Sequence, residues 1–158
     1  MLEQILKTIN NYFYKTGEEG DYNIHGNTIQ VKNKYIQGQY IKIEGSILND
    51  GVYKITNVSE NNISVERLQD EEFEGRIYGL AIPKAIIELE IKVKEFENNN
   101  KNSIYISESF GGAYSYTKAT DENGNVQTWK QAFENDLKPY RKISDGKRRV
   151  KLCWMIMK

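Results

Sequence analysis

The chain has 158 residues, the size of one domain, and carries 22 Lys+Arg against 22 Asp+Glu, so its formal charge is zero. That balance gives no reason to expect a nucleic-acid or acidic-lipid binder. One Cys and one His rule out an internal disulfide and a Cys/His zinc site.

Hydrophobic residues make up only 39% of the chain. A core this thin is often supplemented by oligomerisation. No apolar run approaches the ~20 residues of a membrane span, and the opening MLEQILKTINNYF carries Glu3, unlike a secretory leader. The expectation is a soluble chain made in a reducing cytosol.

Leu2, Ile5, Leu6, Ile9, Tyr12 and Phe13 recur at three- and four-residue spacing and predict a first amphipathic helix, ended by Gly17 and Gly20. From about 21 to 80 the period changes. TIQV at 28–31, YIKI at 40–43, VYKI at 52–55, ISVE at 63–66 and RIYGL at 76–80 are separated by turn residues, the pattern of a small antiparallel sheet or barrel. A second helix begins near Pro83 with Ile86, Leu89, Val93 and Phe96 as its stripe, and fades into the Asn-rich run at 98–102. Residues 103–126 read as a loop. A third helix spans about 127–141, with Trp129, Phe133, Leu137 and Tyr140 on one face and Pro139 near its end. The tail is basic and then apolar: residues 138–158 hold eight Lys/Arg and one Asp, a net +7 that leaves −7 on the rest of a neutral chain.

The fold class that follows is α+β. A small helical bundle of three main helices (1–20 and 81–143) carries an inserted antiparallel β-rich subdomain (21–80) and an extended C-terminal arm (144–158).

Chemistry-bearing residues do not assemble into a reactive set. His25 sits in a His-Gly-Asn turn with no fixed partner visible and reads as a solvated turn residue. Cys153 lies beside Trp154 in an apolar run without a base to activate it. Asp70-Glu71-Glu72 with Glu74 reads as a charged turn rather than a metal or acid–base pair. Asp121 to Asn125 lacks the spacing and late Glu of a calcium loop, and Gly111-Gly112 lacks a phosphate-loop frame. No catalytic residue, metal ligand or cofactor is expected. Lys147, Arg148 and Arg149 with Trp154 and Ile156 suit either a nucleic-acid patch or a segment that docks on an acidic neighbour. The opposed charges of tail and body favour the second, a head-to-tail contact between subunits.

The order of segments is also distinctive. MLEQILKTINNYF is followed by GQYIKIEGSILNDGVYKI, then YGLAIPKAIIELEIKVKEF, SESFGGAYSYTKAT and WKQAFENDLKPYRKI. Over about residues 1–143 this resembles the small head–tail connector (adaptor, head-completion) proteins of tailed phages and prophages of Firmicutes. The most specific stretches are Ser107-Glu108-Ser109-Phe110-Gly111-Gly112 with Tyr114-Ser115-Tyr116, and the helix from Trp129 to Tyr140-Arg141.

The resemblance implies a non-catalytic ring subunit, normally of a dodecamer, that binds the portal above and a neck or tail-terminator protein below, in the virion neck. DNA passes through such a ring without specific binding. Glu18, Glu19, Asp21, Asp70, Glu71, Glu72 and Glu74 are candidates for lining a channel through which DNA slides. Ser107, Ser109, Phe110, Gly111, Gly112, Tyr114, Tyr116, Tyr140 and Arg141 carry the motif and are the candidate interface, together with Lys147 to Arg149, Trp154 and Ile156 of the arm. The simplest adaptors are nearly all helix, so the β-rich insertion is a departure. Another neck or tail-completion role remains an alternative, and a small ligand-binding module or enzyme is disfavoured.

Overall fold

The structure, a computed structural model, describes residues 1–101, 107–110, 114–117 and 127–142. Its centre is a closed barrel of six antiparallel strands, not a helical bundle. The strands are β1 (Tyr14–His25), β2 (Thr28–Gln30), β3 (Tyr40–Glu44), β4 (Gly51–Ser59), β5 (Asn62–Val65) and β6 (Glu71–Leu80), arranged β1-β2-β5-β4-β3-β6 and closed by pairing of β6 with β1. The expectation of a three-helix bundle with a β-rich insert is therefore overturned: the barrel is the body, and short helices cover part of its outside.

The reason begins at the first helix. α1 (Leu2–Thr8) stops early because Asn10 and Phe13 take positive φ, 52° and 54°, which breaks the helical path. Gly17 and Gly20, expected to end the helix, instead lie within β1, opposite Tyr78 and Gly75 of β6. The segment Tyr14–His25 was not expected as a strand because its outer positions are Lys, Glu and Asp, and only Tyr22 and Ile24 among its residues are buried. Its partner β6 supplies the alternation that its own sequence lacks.

The five predicted β-rich runs coincide with β2 to β6. Side chains alternate across each strand, so Ile41 and Ile43 of β3, Ile55 of β4, Ile63 and Val65 of β5 and Ile77 of β6 point inward, joined by Tyr22, Ile24, Ile29, Val31, Tyr35 and Leu68. These side chains fill the interior. The β1–β2 hairpin turns at Gly26-Asn27, both at positive φ (55° and 63°), the geometry that matches the right-handed strand twist.

Outward residues of the opposite parity on β3, β4 and β6 (Tyr40, Val52, Tyr78 and Leu80) meet a second apolar cluster supplied by the helices. α1 contributes Leu2, Ile5 and Leu6, followed by Ile9. α2 (Lys84–Lys101) contributes Ile86, Leu89 and Val93, the stripe read from its sequence. The Leu2 amide donates to Glu90 Oε1 at 3.1 Å, and Lys94 pairs with the same carboxylate at 2.8 Å, fixing α1 to α2.

The predicted third helix is broken into α3 (Trp129–Ala132), α4 (Glu134–Leu137) and a 3-10 turn (Lys138–Tyr140). Phe133, at φ −108° and ψ 20°, leaves the helical region, and Pro139 lies in the closing turn. Its apolar residues still share one role: Leu137 is fully buried, with Trp129, Phe133 and Tyr140 against the same cluster. Within 103–126, read as a loop, Ser107–Phe110 (β7) and Tyr114–Thr117 (β8) form an antiparallel pair.

Candidate functional site

The three loops β1–β2, β3–β4 and β5–β6 meet at one end of the barrel, and the β3–β4 loop is the most tightly organised of them. Gly45 leaves β3 at φ +95°, and a Cβ there would meet the Glu74 carbonyl at 3.0 Å, so the sharp exit requires glycine. The chain then wraps the Glu71 carboxylate. Ser46 Oγ donates to it, as do the amides of Ile47 at 2.9 Å and Leu48 at 3.2 Å and Asn49 Nδ2 at 2.9 Å. Ser46 Oγ also accepts from the Asn49 amide at 2.6 Å.

Asn49, almost fully buried, exchanges a pair of bonds with Gln69: Nδ2 donates to its carbonyl at 3.0 Å, and Oδ1 accepts from its amide at 2.8 Å. In turn, the Leu68 amide donates to Asn27 Oδ1 at 2.8 Å and the Gly26 amide to Asp70 Oδ1 at 2.9 Å. The hydroxyl of Ser46 is the largest influence on the Glu71 carboxyl; desolvation opposes it, and the Ile47, Asn49 and Leu48 donors add to it, so the carboxyl is held below the usual carboxylate range.

This polar cradle displays two aliphatic side chains to water. Ile47 is 91% exposed and Leu48 50% exposed. Large apolar side chains fixed outward by a pre-organised backbone present contact area with little ordering left to be lost on binding. The hint in the sequence is the segment Ser46-Ile47-Leu48-Asn49-Asp50, where an aliphatic pair interrupts residues that otherwise spell a turn. Neither Ile47 nor Leu48 was singled out from the sequence.

The other end of the barrel carries the loop between β2 and β3. Glu18 organises its start, accepting from the amides of Lys32 (2.7 Å) and Asn33 (2.9 Å) and from the Tyr35 hydroxyl (3.2 Å). Burial, reinforced by the Glu18 charge, raises the pKa of Tyr35. Further along, Gln39 Oε1 accepts from the Ile36 amide and Gln37 Nε2 donates to the Thr56 carbonyl, leaving the Ile36 side chain 70% exposed. Ile36, Tyr40, Leu80, Ile82 and Ile87 line an open groove there, with Lys15, Lys34 and Lys84 on its rim.

The residues singled out from the sequence fall in several places. Ser107, Ser109, Phe110, Tyr114 and Tyr116 lie on the β7–β8 pair, with Phe110 opposite Tyr114, Ser109 opposite Ser115 and Tyr116 opposite Glu108. Gly111, Gly112, Lys147, Arg148, Arg149, Cys153, Trp154, Ile156 and the Asp121 to Asn125 segment lie outside the described residues. The Tyr140 ring packs edge-on against Phe13 at 6.4 Å, and its carbonyl accepts from Asn11 Nδ2 at 3.1 Å. Arg141 pairs with Glu134 at 3.6 Å, and the Lys142 amide donates to the Ile9 carbonyl at 2.9 Å. Tyr140 is thus engaged within its own chain.

The acidic candidates also divide. Glu18 and Glu71 anchor loops, Glu19 pairs with Arg76 at 2.8 Å, and Glu72 accepts from Asn23 Nδ2 at 2.7 Å. Asp21 and Glu74 lie opposite each other on the outer wall of the β1–β6 pair. His25, expected without a partner, stands 2.9 Å from Asp70, both side chains well exposed. Among the described residues no cluster of His, Cys, Asp and Glu has metal-holding geometry. No family model and no curated protein matches this chain.

Proposed function

We propose that this chain is a structural subunit of the head–tail connector of a tailed phage or prophage. It acts by binding protein: copies of itself in a ring, the portal on one side and a neck or tail-terminator subunit on the other, with DNA passing through without specific recognition. The order of segments from MLEQILKTINNYF to WKQAFENDLKPYRKI underlies the resemblance. The observation that carries the binding role is physical: a barrel filled by its own side chains holds out Ile47 and Leu48 on a hydrogen-bonded loop, as an interface anchor is held.

The closed six-stranded barrel favours one second reading, a subunit placed lower in the neck or at tail completion, where small β modules are common among phage proteins. Light scattering after size exclusion, on the chain with and without the portal protein of the same genome, separates the two. A portal peak heavier by about one copy of this chain per portal subunit is the expected result. A stable chain that leaves the portal peak unmoved transfers the assignment to the lower position.

A further inference from the structure

The ends of the barrel are complementary to each other. Tyr40, at the start of β3, lies at the groove. Glu44, at its end, leads into the Ile47–Leu48 tip, ~13 Å further along the strand at ~3.3 Å per residue. Antiparallel pairing of Tyr40 with Leu80 and of Glu44 with Arg76 makes β6 span the same two ends in the opposite direction, with Leu80 at the groove and Glu71 at the tip. Tip and groove are therefore fixed at opposite ends of one rigid barrel and cannot meet within a chain.

Charge separates in the same sense. The tip is flanked by Asp50, Glu66 and Asp70, with Arg67 and His25 the basic residues of its loops, whereas the rim of the groove carries Lys15, Lys34 and Lys84, the last also near Glu88 at 3.3 Å. Ile91, 55% exposed and one helical turn beyond Ile87, extends the apolar floor along α2.

We infer that the Ile47–Leu48 tip of one copy seats in the Ile36–Ile87 groove of a second copy, head to tail. An acidic collar around an apolar tip meets a lysine-rimmed apolar groove, which gives both burial and electrostatic complementarity. The chain's own C-terminal segment is a poorer occupant. Residues 138–158 carry a net +7, and the lysine rim repels them. Such a contact is heterologous: each copy uses a different patch from its neighbour, so repetition produces a closed ring or an open filament rather than a two-fold dimer. The inference rests on the ring-subunit reading and names the contact that would build the ring.

The test is sedimentation velocity on the full chain and on Ile47→Glu and Ile36→Glu. Both sites are exposed, so neither change should perturb the fold, which circular dichroism verifies. The wild type is expected to form species larger than a dimer. Each variant alone should lose at least roughly tenfold in its association constant, because a charge enters an apolar contact. Mixing the two variants should then restore a one-to-one dimer. The first retains an intact groove, the second an intact tip, and only a heterologous contact rescues in this way.

A monomeric wild type, a mixture that stays monomeric, or an Ile36→Glu chain that associates like the wild type would each overturn the inference. Portal binding measured in parallel keeps the two proposals distinct. A chain that binds portal with no tip-to-groove contact leaves the connector reading standing, and one that assembles head to tail but ignores the portal leaves the contact standing alone.

Discussion

The barrel interior and the corner that carries Ile47 and Leu48 are ordered by opposite means. Inside, Ile24, Ile29, Ile41, Ile43, Ile55, Ile63 and Ile77 are all but completely removed from water, and their order comes from burial. At the corner the aliphatic side chains face water, and order comes from donors gathered on one carboxylate and from the reciprocal bonds of Asn49. The difference matters because the two devices leave different surfaces behind. Burial consumes apolar area, whereas polar anchoring of the backbone leaves it free for a partner.

Breaking the interior should have the largest effect. Ile77→Ala removes a fully buried side chain from the closing strand and should cost ~2–5 kcal/mol in denaturant unfolding. A loss under ~1 kcal/mol would mean that the barrel relaxes around the gap far more easily than a packed core does.

Asn49→Ala comes next. It takes away the partner of the part-buried Gln69 amide and removes two donated bonds, for an expected ~1–3 kcal/mol, together with faster proteolysis between 45 and 50. If stability fell while the loop stayed protease-resistant, Asn49 would be supporting the core rather than the corner.

Glu71→Gln should have a smaller effect on stability but a distinct dependence on pH. The folded state depresses the Glu71 pKa, so its contribution is fully present above the ordinary carboxylate value of ~4.3 and is lost as pH falls through the lower folded value. Wild-type melting temperature should therefore drop across that acid range more than that of the Gln variant. Parallel curves would remove Glu71 as the cause.

Ile47→Ser should have the smallest effect, within about 0.5 kcal/mol in thermal unfolding, because the side chain is already in water. Measured at dilutions where the chain is monomeric, a larger loss would show that the tip packs on its own barrel.

The strands from Thr28 to Leu80 were legible because β-branched residues alternate between turns, and α2 because Ile86, Leu89 and Val93 keep helical spacing. The primacy of the barrel was not. Tyr14–His25 is a strand whose outward positions are almost all charged or polar, and its pairing with β6 is a long-range property that no local window contains. The same applies to the third helix: spacing put Trp129, Phe133, Leu137 and Tyr140 on one face, and the structure keeps that face while breaking the helix at Phe133. At the corner, Glu71 read as one of a run of surface acids because its partners lie 22 to 25 residues away in sequence. Only the folded chain brings them together.

Closure of the barrel by β6 has a consequence for how the chain is made. β6 is synthesised last of the six strands, and it pairs with both β1 and β3. Until it leaves the ribosome, β1 and β3 each present an open edge of unsatisfied amides and carbonyls, and such edges invite pairing between neighbouring nascent chains. Glu18 and Glu19 on β1 and Lys42 and Glu44 on β3 place charge along those edges during the wait, the ordinary defence against aggregation, before the final strand seals both together.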